Sequence, residues 1–462
     1  MKKRWIFYGF VAAVLLLRIG YYGGQYFPIL DDYIQYGVYS TVPHPFSQII
    51  LHFQDYTVRP LAVLTDIYVW SNFWDHMWIA FLIITLLHGV SCVLLYEALN
   101  KAGIRCGLFF VLVYLLAPVG TEASYWISGS SRIIVPLFFA SVGVWCLTKK
   151  GVGWTAAAWL FNLLSYGYYE QICIVSFLLF VMVAIRQKSK KWVIAGVNGV
   201  IIAGWYVVFA SVGQMADRGG VSFGSPEQLE RIGHYFYEVW AQAVPKMTLG
   251  GALRGFQLAL SDQRFIFMAL IVGVAIAFAV LCGGDAQDNK KFSVSGLVLS
   301  ILLIFLPYLP IFVLKDAWFG LRNTFPSLLG IGLLLDNVFY RPIRLKKAAV
   351  AVMTIIFLFG TVSELYDYKR VYEDDQKILR ILQEAGLPQH VLTKLQYTEV
   401  FVPVETHVLN VTSSDWALCG AVREYKKDMY YPYINVYYEE DAVPTEVAEE
   451  CFDLAAAMEA SE

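Results

Sequence analysis

The segment between the first two apolar runs has Leu30-Asp31-Asp32-Tyr33 near its start and Tyr56-Thr57-Val58-Arg59-Pro60 near its end. It is too polar to cross a bilayer, yet it is unusually aromatic. In or beside it lie Tyr21, Tyr22, Tyr26, Phe27, Tyr33, Tyr36, Tyr39, Tyr56, Tyr68, Trp70, Phe73 and Trp74. Aromatic side chains with one apolar and one polar end settle at the headgroup level of a membrane. The segment is therefore predicted to lie on a membrane surface and to hold two adjacent carboxylates there.

The composition of the rest of the chain agrees with a membrane location. The 462 residues are 58% hydrophobic and only 16% charged, whereas soluble domains are about 25% charged. This excludes an ordinary soluble globular protein and predicts an α-helical polytopic membrane protein. The formal net charge is −2, and no nucleic-acid partner is expected. The seven cysteines form no CxxC pair and the seven histidines show no ligand spacing, so no metal site of that kind is predicted.

About eleven apolar runs are long enough to span a bilayer, which takes roughly 17–25 residues per helix. The predicted spans are 5–23, 76–98, 106–119, 132–148, 153–167, 170–186, 192–212, 264–282, 292–314, 324–340 and 346–363. Basic residues cluster in alternate connections, which by the positive-inside rule are cytoplasmic. We therefore expect a multi-pass cell-membrane protein with a cytoplasmic N-terminus and an extracytoplasmic C-terminus. The first span resembles a signal peptide without a cleavage site, so it is expected to be retained.

This topology predicts a membrane domain over residues 1–363 and an extracytoplasmic α+β domain over residues 364–462. The cytoplasmic connections are short and basic, with no room for chemistry, whereas two external loops, 24–75 and 213–263, are long. Within these loops we predict helices over Pro45–Phe53, from Pro60, and from the Ser225 cap. In the tail we predict a helix over Glu364–Ala385 and strands over 398–411 and 429–438. Cys419 and Cys451 would share an oxidising compartment and could form a disulfide.

The candidate site residues all lie at the external ends of the predicted spans. They are Asp31, Asp32, Glu122, Glu170, Arg18, Arg59, Arg132 and Arg322. Ionisable groups at membrane depth are costly and are functional candidates by default. The adjacent aspartates could supply a general base, bind a divalent cation through their oxygens, or form a plain acidic turn. The arginines could bind phosphate oxygens or merely extend their charge to the interface. Because the spans themselves carry few charges, a membrane enzyme acting on a lipid-linked phosphate fits better than a transport path.

Several short motifs follow one another between residues 30 and 171. They are Leu30-Asp31-Asp32-Tyr33, Tyr56 to Thr65 around Arg59-Pro60, Leu86-Leu87-His88 with Leu94-Leu95-Tyr96, Ala117 to Ala123 with Trp126-Ile127-Ser128-Gly129, and Leu163-Leu164-Ser165 with Glu170-Gln171. Their order resembles that of GT-C type glycosyltransferases that use polyprenyl-phosphate sugars. The nearest pattern is that of protein O-mannosyltransferases with tetratricopeptide tails and their bacterial relatives. Beyond residue 172 the similarity is one of hydropathy alone.

The resemblance implies that Asp31 or Asp32 activates an acceptor hydroxyl, with Asp32 slightly favoured for its proximity to the groove, and that basic residues at the membrane face hold the donor phosphate. By position, Arg59 is then a donor-binding or structural residue. Arg18, Arg132 and Arg322 are the other candidates for the phosphate. The resemblance also implies catalytic roles for Glu122 and Glu170, which match acidic positions of the pattern. The implied partners are a polyprenyl-phosphate sugar, membrane lipids and an extracytoplasmic glycan or protein acceptor. Two departures concern the Gly-Arg-x-Asp element, replaced by Gly129-Ser130-Ser131-Arg132, and the repeat tail, which is absent. A flippase for a lipid-linked sugar and a non-catalytic membrane scaffold remain the alternatives.

Overall fold

The structure is a computed structural model that describes residues 2–38, 59–209, 224–282, 293–313, 319–339, 343–393, 400–402, 404, 407–428 and 430–460. The helix predicted over Pro45–Phe53 lies outside these residues. The α-helices in chain order are α1 Lys2–Gly20, α2 Pro60–Thr65, α3 Met77–Lys101, α4 Leu108–Leu116, α5 Thr121–Tyr125, α6 Ile127–Leu147, α7 Val152–Tyr166, α8 Glu170–Arg186, α9 Trp192–Phe209, α10 Pro226–Phe236, α11 Gly251–Ser261, α12 Phe265–Cys282, α13 Val294–Phe305, α14 Leu309–Val313, α15 Phe325–Val338, α16 Ile343–Glu384, α17 Asp415–Lys426 and α18 Leu454–Ala460.

The chain has the make-up of an α-helical membrane protein. In the part that the structure describes, four helical stretches are long and apolar enough to cross a membrane: Pro60–Lys101, Ile127–Leu147, Val294–Val313 and Lys346–Glu384. The pair Leu108–Leu116 and Pro118–Tyr125, bent by 50°, could form a fifth. A helix overlaps each segment predicted to span, including the shorter apolar helices α9 and α12. The larger number of crossings, about eleven, stays a prediction.

Contacts within the chain divide it into two compact units. The first unit comprises Met1–Gly24, Leu51–Val63 and Phe81–Ser363, and the second comprises Gln25–Ile50, Leu64–Ala80 and Glu364–Glu462. The long helix α16 therefore contributes its apolar part to the first unit and its charged part, from Glu364 onward, to the second.

Small residues let the helices of the first unit approach one another closely, as is common where helices pack in a membrane. On α15, a Cβ at Gly332 would lie 2.7 Å from the Phe110 Cα of α4, and one at Gly330 would lie 2.5 Å from the Ser300 carbonyl of α13. The same helix supplies Asp336, whose carboxylate accepts hydrogen bonds from the N–H groups of Gly107, Phe109 and Phe110. The buried carboxylate thus satisfies the otherwise unpaired N–H groups at the start of α4.

A buried polar network joins α7, α8 and α9. The Asn198 amide donates to the Asn162 side-chain carbonyl at 2.8 Å, and the Asn162 amide donates to the Ser176 hydroxyl at 2.9 Å. Ser165 lies 2.7 Å from the same hydroxyl. Polar groups that satisfy one another in this way hold helices together in an apolar environment.

The second unit packs helices against a three-stranded parallel sheet. Its strands are β1 His390–Leu392, β2 Asn435–Tyr437 and β3 Phe452–Asp453, in the order β2-β1-β3. Helix α17 and the π-helix Tyr33–Val38 lie so close that a Cβ on Gly420 would be 2.8 Å from the Ile34 Cβ. The shared core contains Tyr33, Ile378, Leu382, Val391, Leu418 and Val422.

Several local predictions can be compared with these elements. The helix start at Pro60, the Ser225 cap and the helix end before Gly386 are confirmed, since Ser225 accepts from the Gln228 N–H and Gly386 has a φ of +81°. The strand predicted over 429–438 is present only as β2. The strand predicted over 398–411 is wrong for the residues of that range that the structure describes, which are bends, irregular backbone and, at Val411, the start of a 3-10 helix.

The predicted disulfide is also wrong, because Cys419 and Cys451 are both free thiols. Cys419 is buried, and its sulfur both donates to the Ile434 carbonyl and accepts from the Ile434 N–H. It therefore serves as a small buried side chain that fastens α17 to the segment before β2.

Candidate functional site

The first feature of the candidate site is a two-pronged ion pair between Arg59 and Glu170. The Arg59 Nε and Nη2 atoms donate to the two Glu170 oxygens at 3.0 and 3.1 Å, and the guanidinium lies 4.3 Å from the Tyr169 ring centre. The two charged side chains are 23% and 24% exposed. A guanidinium can form two parallel hydrogen bonds to a carboxylate and stack on an aromatic ring, which a lysine ammonium cannot do. The Arg59 guanidinium and the Glu170 carboxylate therefore form an ion pair with each other.

Close backbone contact brings these two residues together although they are 111 positions apart. The Leu61 N–H donates to the Gly167 carbonyl at 2.9 Å, and a Cβ at Gly167 would lie 2.5 Å from the Leu61 side chain. Glycine at the end of α7 is thus what lets the start of α2 approach. Arg59, one residue before α2, then reaches Glu170, the first residue of α8.

A hydrogen-bonded network extends this pair towards Arg322. The Asn323 amide donates to the Tyr169 hydroxyl at 2.9 Å and to the Gln171 side-chain carbonyl at 3.0 Å. Gln171 in turn donates to the Asn323 main-chain carbonyl at 3.3 Å. Asn323 is held in place because its own Oδ1 accepts from the Gly320 N–H at 2.9 Å. The network therefore fixes the residue next to Arg322.

Arg322 itself is half-buried and lies over the ring of Trp126, 4.9 Å from the ring centre. The Trp126 side chain is buried, and its indole N–H has no hydrogen-bond partner among the residues that the structure describes. Together with the network above, these groups form what we call the arginine cluster: Arg59, Tyr169, Glu170, Gln171, Arg322, Asn323 and Trp126. Within it, Arg59 is paired with Glu170, and the Asn323 amide donates to Tyr169 and Gln171. The groups best suited to a phosphate oxygen are therefore the Arg322 guanidinium and the Trp126 indole N–H.

The other predicted residues of the same segments have different surroundings. Glu122 is buried on the short helix α5, at 1% exposure. Arg132 is half-buried and donates to the Ser128 carbonyl at 2.7 Å and to the Ser128 hydroxyl at 3.3 Å, within its own helix. These contacts give Arg132 a local role on α6.

Arg18 is buried in a separate set of contacts. Its guanidinium donates to the Ser124 hydroxyl and to the Leu115 carbonyl, and it lies 3.4 Å from the His88 Nδ1. Leu115 is in the last turn of α4, where carbonyl groups lack helical partners and favour a cation. His88 Nε2 lies 2.9 Å from the Tyr114 carbonyl, so a proton on Nε2 satisfies both contacts. Arg18 is only 5% exposed, and its contacts join α1 to α3, α4 and α5.

The two adjacent aspartates belong to the second unit, and burial distinguishes them. Asp32 is completely buried, and one of its oxygens accepts from the Tyr26 hydroxyl and from the Ile29 N–H. Leu30 takes a φ of +43° in the tight turn that these bonds close. Asp31 is only half-buried. Asp32 therefore holds the turn together, and Asp31 is the more accessible carboxylate.

Sequence analysis missed Asp66, a buried carboxylate of the second unit. Its Oδ1 accepts from the Tyr36 hydroxyl at 3.3 Å, and it begins a π-helix, Asp66–Trp70. The signal was present, because Asp66 is the only charged residue in the run from Leu61 to Trp70. It also missed the buried pair of Glu364 and His407, whose Oε2 and Nε2 atoms are 3.0 Å apart.

Within the described ranges, no three histidine, cysteine, aspartate or glutamate side chains are grouped as they would be around a metal ion. The geometry thus brings Arg59, Glu170 and Arg322 into one cluster, gives Arg18, Arg132 and Asp32 structural partners, and leaves Asp31 accessible. No family model, curated protein or solved structure matches the chain.

Proposed function

We propose that the chain is an integral membrane glycosyltransferase of GT-C architecture, with about eleven membrane crossings. It transfers a sugar from a polyprenyl-phosphate carrier to a hydroxyl of an extracytoplasmic glycan or protein. The observation that carries the proposal is the arginine cluster, in which the Arg322 guanidinium lies over the buried Trp126 indole, beside the network of Arg59, Glu170 and Asn323. Such a set of donors suits a phosphate group held at a membrane surface.

The reaction needs two things from the protein. A carboxylate accepts the proton of the acceptor hydroxyl as that oxygen attacks the anomeric carbon of the sugar. The bond from that carbon to the phosphate oxygen breaks, and the electron pair leaves with polyprenyl phosphate, whose growing negative charge must be stabilised. One displacement of this kind inverts the anomeric configuration.

The geometry supports particular residues for these roles. Asp31 is the better base, because a base must reach the acceptor and Asp32 is completely buried. Arg322 is the favoured phosphate ligand, because it lies over Trp126, whose buried indole N–H has no partner among the described residues, whereas Arg18 is only 5% exposed. Arg59 and Glu170 support the cluster through their mutual pair.

The test is turnover of a radiolabelled polyprenyl-phosphate sugar in membranes, with donor binding measured in parallel. Asp31→Asn should lower transfer by about 10²–10⁴-fold, the usual effect of losing a positioned base, while donor binding survives. Arg322→Ala should weaken donor binding by about tenfold to a hundredfold, since one charge-assisted hydrogen bond is lost. Donor binding by Arg322→Lys should lie between that of the wild type and that of Arg322→Ala. The control is Lys188→Gln, which removes an exposed charge on a basic connection and does not line the basic cavity described below.

Near-normal transfer by Asp31→Asn would show that the aspartate pair is a structural turn. Movement of the lipid-linked sugar across vesicles without transfer would favour a flippase. If the wild-type protein neither binds the donor nor transfers the sugar, the result would favour a scaffold.

A further inference from the structure

A second polar feature of the first unit has no part in the proposed transfer reaction. It is an open cavity of about 780 Å³, lined by residues of three short connections, those between α3 and α4, between α6 and α7, and between α8 and α9. Sequence analysis predicted that these connections leave no room for chemistry. Five of the lining side chains are basic and none is acidic: Lys101, Lys149, Lys150, Arg186 and Lys191. We call this the basic cavity.

The charges of the basic cavity are not balanced by the protein. In the part of the chain that the structure describes, no carboxylate forms an ion pair with any of the five cations. Two of them are oriented by main-chain acceptors, since Lys101 donates to the Thr148 carbonyl at 2.7 Å and Lys191 to the Lys149 carbonyl at 3.5 Å. Each ammonium keeps further N–H donors for a ligand.

The Arg186 guanidinium lies in the basic cavity close to Gly103. A Cβ at Gly103 would lie 3.2 Å from the Arg186 Nη2, and Gly103 has a φ of +79°, so a side chain there would be both strained and crowded. Glycine therefore leaves space for the guanidinium beside the α3–α4 connection. The positive-inside rule explains why basic residues lie on one side of a membrane, but it does not require them to converge on one cavity.

A neighbouring cavity of about 530 Å³ contains a carboxylate beside its basic side chains. It shares Lys101, Thr148 and Lys149 with the basic cavity, but Glu97 also lines it. The Glu97 carboxylate lies 3.9 Å from Arg4 and accepts from the Tyr8 hydroxyl and the Trp145 indole. Of these two cavities, the basic cavity has no carboxylate among its lining residues.

Apolar side chains around the basic cavity suggest where the anion comes from. Val152 lines it and is 87% exposed, and the nearby Trp154 and Trp192 are 43% and 48% exposed. Exposed tryptophans at the ends of apolar helices are typical of the headgroup level. Basic pockets between helices at this level bind the phosphates of anionic lipid headgroups.

We propose that the basic cavity binds the phosphate headgroup of an anionic phospholipid, with Lys150 and Arg186 as direct ligands and the acyl chains lying along the apolar ends of α7 and α9. Lys150 and Arg186 are both exposed and make no hydrogen bond or ion pair within the described residues, so their removal leaves the fold intact. The site is independent of the proposed transfer reaction.

The experiment is native mass spectrometry of the purified full-length protein titrated with phosphatidylglycerol or, for comparison, phosphatidylcholine. The wild type should retain one phosphatidylglycerol and not phosphatidylcholine. The variant Lys150→Gln with Arg186→Gln should bind phosphatidylglycerol about thirtyfold more weakly, the effect of two basic side chains near an anionic headgroup. The charge-preserving variant Lys150→Arg with Arg186→Lys should bind within about threefold of the wild type.

The matched control is Lys188→Gln with Lys190→Gln. These two exposed lysines are on the α8–α9 connection, next to Arg186, but do not line the basic cavity. It removes the same charge and should weaken binding by less than about threefold. An equal loss in both double variants would mean nonspecific attraction and would overturn the site. A second arm titrates inorganic phosphate and pyrophosphate, and preference for either over phosphatidylglycerol would overturn the lipid assignment.

Discussion

At the scale of single residues, the pair of Arg59 and Glu170 is the best-defined electrostatic contact of the candidate site. Most surface ion pairs contribute little to stability because water screens them and two long side chains lose freedom. This pair differs, since both of its hydrogen bonds are near 3 Å, the guanidinium stacks on Tyr169 and both side chains are about three-quarters buried. It should therefore stabilise the cluster measurably.

A double-mutant cycle tests this expectation. Arg59→Ala, Glu170→Ala and the double variant should give a coupling energy of about 1 kcal/mol in unfolding measurements. Arg59→Lys should recover little of it, because an ammonium cannot form the two parallel bonds. The control cycle uses Lys369 and Glu373, a more exposed pair one helical turn apart, for which we expect about 0.3–0.5 kcal/mol. Equal coupling energies in the two cycles would contradict a special role for the two parallel hydrogen bonds between Arg59 and Glu170.

Asp375 is a second residue whose surroundings have a measurable consequence. It is completely buried in the charged part of α16, beyond the apolar part that could cross a membrane. One oxygen accepts from the Val411 N–H and the Asn410 amide, whereas the other has no partner among the described residues. Burial raises the pKa of the Asp375 carboxyl well above its ordinary value. The folded protein therefore favours the protonated form.

The direction of the pH dependence follows from this shift. An unfolded chain loses the aspartate proton near pH 3.9, while the folded chain keeps it to higher pH. The stabilising effect is therefore complete below that value and is lost as pH rises to the folded pKa. Asp375→Asn should remove this loss of stability with rising pH while keeping the hydrogen bond from the Val411 N–H. The difference in stability between the variant and the wild type should therefore grow with pH. Thermal unfolding across this range measures it, and parallel curves for the two proteins would refute the argument.

At the scale of elements, glycine decides how closely helices pack in the first unit. Gly255 of α11 shows the closest approach, because a Cβ there would lie 1.9 Å from the Phe359 carbonyl of α16. That neighbour is main chain, so it cannot move aside by rotating a side chain. Gly273 of α12 has nothing within 4 Å of the same position.

These two glycines provide a matched pair of substitutions. Gly255→Ala should lower the free energy of unfolding by about 1–3 kcal/mol, the usual cost of overpacking. Gly273→Ala should be neutral or slightly stabilising, because alanine is the better helix former by about 1 kcal/mol. Both are measured by thermal unfolding in the same detergent. If Gly255→Ala proves as stable as Gly273→Ala, the close contact between α11 and α16 is wrong.

The positions of the helices could be predicted because long apolar runs carry their own signal. The strands of the second unit could not, since they are two or three residues long and pair in parallel across the sequence. A three-residue strand has too few positions to show alternation. The segment over 398–411 has strand-like composition, but its described residues are irregular, so tertiary contacts override local preference there.

The candidate site was predictable in its residue types and not in its pairings. Arg59 and Glu170 were identified separately, and their pairing depends on the contact of Leu61 with Gly167, which the sequence does not reveal. The different roles of Asp31 and Asp32 also depend on burial, which two adjacent identical residues cannot reveal. The disulfide failed for a related reason, because two cysteines in one domain say nothing about their separation.

At the scale of the whole molecule, charge is distributed in a way that predicts orientation. The basic cavity gathers connections that the positive-inside rule makes cytoplasmic, whereas the tail after Ser363 is predicted to be extracytoplasmic. Sites on the tail and on a basic connection should therefore be reached by a reagent from opposite sides. Lys150 and Tyr425 are suitable positions, since both are exposed.

Cysteine labelling tests this orientation in a variant whose native cysteines are replaced by serine. In intact cells a membrane-impermeant maleimide should label Tyr425→Cys, and it should label Lys150→Cys only after permeabilisation. Positions 40 and 218, which lie outside the described residues, should behave like 425, and position 345 should behave like 150. The agreement of several positions matters, because one loop could be occluded whereas a reversed topology would exchange both groups. Labelling at 425 only after lysis, with 150 reached from outside, would reverse the orientation and remove the external acceptor from the proposed reaction.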